Sequence, residues 1–438
     1  MISAQRRTEI INALRRGTVP QRGLDAFAVG TERFAATLDE ELAFVAGGGA
    51  GFKAIRGEYG SGKTFTVRWI SERARSQGFA TAEVQISEGE TPLHHLETVY
   101  RRLCERLSTA DAPTEALRSV VDSWFYALHE DVLASGGLDP ADSEAVLAAT
   151  EALAEQRLSS VAGRAPALAA VLRGYRRAIA AGDNGTAEGL LAWLGGQPHV
   201  AAAIKRTAGI RGDLDHDGAL GFLSGLLTIL RGAGYSGLVL VLDEVETLQR
   251  VRSDARDRAL NALRQMIDEI DQGRFPGLYL IITGTPAFFD GPQGAQRLAP
   301  LAQRLHTEFH PDPRFENPRA VQLRLPGFDL DLLAAVGRRI RDLYAEGAGS
   351  PERIHSKVDD DYIAALAQAV TGDLGGKVGV APRVFLRKLV DGVLDFVDRH
   401  DDFDPRRDYR LTVVDSELSE IERNARAARS VDDIELDL

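Results

Sequence analysis

Apolar and polar positions change their period several times along the chain, and each change marks an element. Residues 2–16 place Ile10, Ile11 and Leu14 on one helical side, and Arg16-Gly17-Thr18-Val19-Pro20 breaks that helix. A second helix is expected over residues 31–45 with Thr31 as its cap, then a glycine-rich loop at 46–51. Residues 52–56 read as a short strand. A helix starts inside the glycine-rich segment that follows, runs to about Ser76 and is stopped by Gly78. Residues 80–86 alternate as a strand does, and 91–107 read as helix.

From 110 to 218 the chain is rich in Ala, Leu, Arg and Glu and shows no strand pattern, which predicts a helical insertion. The interrupted pattern then resumes. An amphipathic helix at 219–232 precedes an apolar strand at 238–242; a helix at 255–270, with Leu260, Leu263, Ile267 and Ile270 on one face, precedes a strand at 277–283. Val321, Leu323 and Leu325 alternate with polar neighbours as a fifth strand, and after Pro326-Gly327 helices are expected over 330–345, 359–370 and 383–398. Strands that alternate with helices imply an α/β fold around a parallel sheet.

Composition narrows the classes. A chain of 438 residues can hold two or three cores. Residues 1–16 are charged and lack a long apolar run, so no signal peptide is expected, and no stretch approaches the ~20 apolar residues of a membrane span. The single cysteine, Cys104, excludes an internal disulfide and a Cys-rich zinc site, which fits a cytoplasmic location. A net charge of −12 argues against a generally basic nucleic-acid binder and leaves a local basic patch as the route to DNA. Four acids between 431 and 438 read as a solvated tail.

The chemistry concentrates in two motifs. Gly57-Glu58-Tyr59-Gly60-Ser61-Gly62-Lys63-Thr64, with Phe65 next, matches the phosphate-binding loop at every fixed position. Its glycines let successive backbone N–H groups turn inward on phosphate oxygens, and the helix beginning there adds the positive end of its dipole. Lys63 is placed for the β- and γ-phosphates of ATP, and the Thr64 hydroxyl for Mg²⁺. The second motif is the strand Leu238-Val239-Leu240-Val241-Leu242 ending in Asp243 and Glu244. Acids there lie at the sheet edge where α/β proteins bind ligands: Asp243 is expected to hold Mg²⁺, and Glu244 to activate water. Glu246, beyond the strand end, is the weaker candidate base. The second acid favours hydrolysis over transfer to another substrate, and no acceptor motif for a kinase-like reaction is present.

The order of phosphate loop, Asp-Glu strand, polar strand end and helical lid with an arginine resembles AAA+ ATPases, most closely the Orc/Cdc6-like branch. Leu14-Arg15-Arg16-Gly17-Thr18-Val19-Pro20, Gly23-Leu24, Val29-Gly30, Leu242-Asp243-Glu244-Val245-Glu246, Thr283-Gly284-Thr285-Pro286 and Pro382-Arg383 make the chain similar to the ATP-binding proteins of BREX phage-defence systems (BrxD-like). The resemblance implies a P-loop AAA+ α/β/α three-layer fold. Its parts would be an N-terminal segment at 1–50, a core at 51–109 and 219–326, the insertion at 110–218, a lid at 327–400 and a tail at 401–438.

The resemblance also implies roles. Thr283 would be a sensor of water or γ-phosphate, and Arg383 a second sensor, its place in a helix first turn being disfavoured by the dipole unless a phosphate is near. Arg304, ahead of Arg297, would be a finger acting on a neighbouring subunit, so that self-association completes the site. Val19, Pro20, Val29 and Gly30 would form the adenine side. No winged-helix module is expected after Asp398, a departure from the Orc/Cdc6 plan that weakens autonomous DNA binding. Within the insertion, Trp124, Phe125 and Tyr126 read as core, and the arginines of 164–177 as a solvated face rather than a nucleic-acid contact.

Overall fold

The computed structural model describes residues 2–312, 315–373 and 381–413, together with Leu418 and Arg423. Five strands, β1 (Gly51–Arg56), β2 (Ala80–Gln85), β3 (Leu238–Asp243), β4 (Leu278–Gly284) and β5 (Gln322–Arg324), form one parallel sheet in the order β2-β3-β4-β1-β5. Helices are α1 (Ala4–Arg15), α2 (Glu32–Ala46), α3 (Lys63–Ser76), α4 (Leu96–Glu105), α5 (Leu117–Ala134), α6 (Ser143–Leu158), α7 (Pro166–Ala180), α8 (Asn184–Leu194), α9 (Ala202–Thr207) and α10 (His216–Gly232). Further along come α11 (Ser253–Asp271), α12 (Pro286–Asp290), α13 (Ala299–Leu305), α14 (Leu330–Ala345), α15 (Pro351–Lys357), α16 (Asp360–Asp373), α17 (Ala381–Arg387), α18 (Asp395–Arg399) and α19 (Pro405–Asp408).

Both central strands are buried along their whole length, which is why β3 and β4 read as continuous apolar runs. Alternate residues leave for opposite faces. Leu238, Leu240, Leu242, Leu278, Leu280 and Ile282 join a core with α4, α5, α7, α8, α10 and α11. Val239, Val241, Tyr279 and Ile281 join a second core with α1, α2, α3, α14 and α16. Each such side chain contributes about 1.5–3 kcal/mol on burial, so the sheet is fixed from both sides.

The edges are managed separately. An antiparallel bridge from Thr81 to Ser108 closes the β2 edge, and β5, on the other, has three residues. Among the described residues no helix is long and apolar enough to cross a membrane.

Several expectations shift. The helix expected from 91 begins at Leu96, because Pro92 disfavours helical backbone before it and the Ser87 hydroxyl accepts from Glu90 and Thr91 N–H to hold a turn. Thr31 sits at the start of α2 but makes no side-chain cap bond; its own backbone is already helical. The single helix expected at 383–398 is α17, a π-helical stretch Lys388–Leu394, and α18. The acidic 431–438 segment lies outside the described residues.

Candidate nucleotide site

Register brings the motifs together. Ile55 of β1 stands beside Thr283 of β4 and Leu242 of β3 beside Ile282, so Gly57, Thr283 and Asp243 emerge at one level of the sheet's carboxyl edge. β4 lies between the strand that feeds the glycine loop and the strand that carries the acids. A single polar residue at its end can therefore touch both sides.

The loop conformation depends on its glycines. Gly60 and Gly62 have φ of 76° and 90°, a region open to glycine and strained for other residues. A Cβ at Gly57 would collide with the Ser61 side chain. Gly57 N–H donates to Gly284 O at 3.1 Å, which ties the loop to β4. Helix α3 starts at Lys63, so its unpaired first-turn N–H groups and positive dipole end face the same place.

Lys63 is almost fully buried. Its Nζ donates to Gly57 O at 2.8 Å and Glu58 O at 3.2 Å, lies 5.1 Å from the centre of the Tyr59 ring, and faces Glu246 Oε1 at 3.8 Å. The Thr64 hydroxyl is 3.4 Å from Asp243 Oδ2. The Thr283 hydroxyl donates to Asp243 Oδ1 and accepts from Glu244 N–H at 3.0 Å, so the end of β4 locks both acids of β3. Glu244 itself is left-handed, φ 61° and ψ 44°, an uncommon state for a residue with a Cβ. Its Oε2 accepts from Gln85 Nε2 at 2.9 Å.

Beside these residues lies a cavity of about 420 Å³. Tyr59 to Phe65, Asp243, Glu244 and Glu246 line one end. Val19, Pro20, Val29 and Gly30 line the other, with Phe27 and Phe65 in ring contact at 5.3 Å. Phe328 of the β5–α14 connection and Pro382 and Arg383 of α17 contribute as well. The N-terminal strap is held from both sides: Glu72 of α3 accepts from the N–H groups of Gly23 and Leu24, and Arg15 of α1 pairs with Asp395 at 2.6 Å.

Some nominated residues fall elsewhere. Arg304 pairs with Asp268 of α11 and donates to Pro300 O at 2.8 Å, and Arg297 pairs with Asp257; neither lines this cavity. Gly57 and Glu58 act through their carbonyls on Lys63 rather than as cavity wall.

Glu246, the weaker candidate base, lies past the strand end but turns inward. The apolar Val245 and Leu248 anchor the turn in the core and carry Glu246 inward, so that it is only 5% exposed. Burial pushes its carboxyl up to about 7, against the pull of Lys63 and with Glu244 and Asp243 adding to the rise. Burial, then the nearby Glu246, raises Tyr59 too. The cue in sequence was an acid held between two apolar residues in the turn after the strand.

Among the described residues, Ser61 Oγ and both Glu246 oxygens are buried without a hydrogen-bond partner, so polar capacity remains where the glycine loop curls. For Mg²⁺, Thr64 and Asp243 offer two hard oxygens side by side. Among the described residues no three His, Cys, Asp or Glu side chains are grouped to cage a metal. Two protein oxygens suit an ion that takes its other ligands from phosphates and water.

Sheet, loop and acids together define an α/β protein with a glycine-rich strand-to-helix loop and two acids at the carboxyl edge of a parallel sheet. Over residues 2–413 the chain matches the family described as BREX system ATP-binding protein BrxC/D, and it belongs to that family. It is thus an ATP-binding family member with a role in the BREX phage-defence system. No curated protein and no solved structure matches the chain.

Proposed function

We propose that the protein is an AAA+ ATPase of the Orc/Cdc6-like branch that hydrolyses ATP with Mg²⁺ and uses nucleotide state to control a BREX complex, as regulator or motor. The observation that carries this reading is the meeting of Lys63, Thr64, Asp243 and Thr283 beside one cavity. In this reading the N–H groups of the loop cradle the phosphates, Lys63 neutralises the β- and γ-oxygens, and Thr64 and Asp243 hold Mg²⁺. The ion supplies charge neutralisation at the transferred phosphoryl group.

Glu244 takes a proton from the attacking water, and Thr283 keeps Asp243 and Glu244 in register. Val19, Pro20, Val29 and Gly30 receive the adenine. Arg383 reaches the γ-phosphate from the helical lid at 327–400. Arg304 completes a neighbouring subunit's site after release from Asp268. Partners are other copies of the chain or other BREX proteins.

One observation favours a second reading, an ATP-gated scaffold with little turnover: the Glu244 carboxylate is engaged by Gln85. A DNA-associated switch is less supported. Three of the four arginines of 164–177 that would face DNA are already paired, as Arg164–Glu269, Arg173–Glu155 and Arg177–Glu151, and the guanidinium of the fourth, Arg176, lies over the Phe125 ring.

Nucleotide titration and steady-state phosphate release separate these readings. Lys63→Ala is expected to weaken ATP binding about tenfold to a hundredfold, the worth of charged hydrogen bonds. Glu244→Gln is expected to keep binding and lower phosphate release by about 10²- to 10⁴-fold. Unchanged release in Glu244→Gln removes its hydrolytic role, and unchanged binding in Lys63→Ala removes the phosphate site.

A further inference from the structure

We propose that Glu246 is a positioning residue that competes with nucleotide phosphates for Lys63, and so sets nucleotide affinity rather than the chemistry of hydrolysis. The inference rests on the phosphate-site reading above and deepens it. Lys63 Nζ has three donors; Gly57 O and Glu58 O accept from two directions, and Glu246 Oε1 faces the ammonium at 3.8 Å, within ion-pair range and beyond hydrogen-bond range. Both Glu246 oxygens are buried, and among the described residues no other residue donates a hydrogen bond to them. A buried carboxylate without hydrogen bonds is costly and adds little stability. Its position is better explained by its electrostatic reach, since it lines the cavity together with Ser61, Lys63 and Thr64.

The neighbouring acid makes the contrast. Glu244 is half-buried, bonded to Gln85, and points its carboxylate at the β2 end. Glu246 has no such partner and looks at Lys63. A polyphosphate drawn to Lys63 enters the field of this carboxylate at close range, where like charges in a buried site repel strongly. Phosphate oxygens must therefore replace Glu246 as the counter-charge of Lys63, and the nucleotide binds more weakly than the loop alone allows. The charged and titratable groups facing Glu246 are Lys63 of α3, Asp243 and Glu244 at the β3 end, and Tyr59 of the loop. Only Lys63 among them favours its ionised form. The competition consequently strengthens as Glu246 ionises.

The test is calorimetric titration of ADP, with Mg²⁺ present, into the full chain and into Glu246→Gln, at about pH 6 and about pH 8. ADP avoids turnover, and the ratio of the two affinities cancels the nucleotide's own ionisation. Glu246→Gln is expected to bind about tenfold tighter at the higher pH, with the gain shrinking toward about twofold at the lower. Equal or weaker binding by Glu246→Gln at the higher pH overturns the proposal, as does a gain that does not change with pH. Should Glu246→Gln not fold, Glu246→Ala is read in the same way.

Phosphate release separates the roles: a Glu246→Gln chain that binds as the parent does but has lost turnover assigns Glu246 to catalysis and ends the proposal. Lys63→Ala runs alongside as a control. If it binds ADP as tightly as the parent chain, the phosphate-site reading has failed, and this proposal with it. If it binds weakly while Glu246→Gln shows no gain, the competition alone has failed.

Discussion

In the helical insertion, α5 to α9, several charges meet opposite charges. Arg173 meets Glu155 at 2.7 Å, Arg177 meets Glu151 at 2.6 Å, and the Tyr175 hydroxyl donates to Asp122 at 2.7 Å above a packed group of Trp124, Phe125 and Trp193. Among the described residues the buried Arg176 Nε has no acceptor, but its guanidinium lies over the Phe125 ring. At the cavity the accounting differs. Among the described residues, neither Glu246 oxygen nor Ser61 Oγ, all of them buried, has a hydrogen-bond partner. The first region satisfies its groups internally. The second leaves buried polar capacity unused, as sites that act on a ligand do. Stability and function should therefore separate on mutation.

The largest expected effect tests that separation from the insertion. Trp124 is 1% exposed and packs against α10 at Gly232. Trp124→Ala should destabilise the fold by about 3–5 kcal/mol, read by chemical denaturation. Nucleotide affinity of the folded fraction should stay within about twofold, because Trp124 lines no part of the cavity. A parallel loss of affinity would show that the insertion and the site are one energetic unit.

The next effect comes from the cavity and is read as pH dependence of stability. Glu246 ionises near 7 in the fold and near the ordinary glutamate value when unfolded. Between those two values the folded chain holds the extra proton. Stability contributed by this group is therefore greatest below the unfolded value and falls as pH rises toward 7, then levels off. The loss should be on the order of a few kcal/mol and should vanish in Glu246→Gln. A stability curve of the same slope in both chains would mean that Glu246 is solvated rather than buried.

The same contrast explains what could be read from the chain alone. β3 was legible because five apolar residues in a row, short for a helix and ended by two acids, suit a strand buried on both faces, and the glycine loop because its spacing matches a known motif. The burial of Glu246 was not, since it follows from Val245 and Leu248 packing into the core. Nor was the Arg304–Asp268 pair, whose members lie 36 positions apart and meet only once α13 packs beside α11. The π-helical stretch after Arg387 was hidden because its apolar spacing also suits an ordinary helix. Trp124 and Phe125 are core, as expected from their spacing, whereas Tyr126 is 67% exposed.

The smallest expected effect belongs to the insertion's outer face. Arg173 and Glu155 keep 40% and 46% of their side-chain surface in water, so their attraction is screened and offset by the entropy of holding two long side chains. Arg173→Ala should change stability by no more than about 0.5 kcal/mol, and less at high salt. Duplex DNA added to both chains sharpens the reading. If the pair is only a solvated contact, the two chains should respond to DNA identically, because a guanidinium already committed to Glu155 adds little to a phosphate site. If Arg173→Ala instead abolishes a salt-sensitive association, the carboxylate was holding the arginine for an external phosphate, and the insertion would no longer be the self-satisfied half of the molecule.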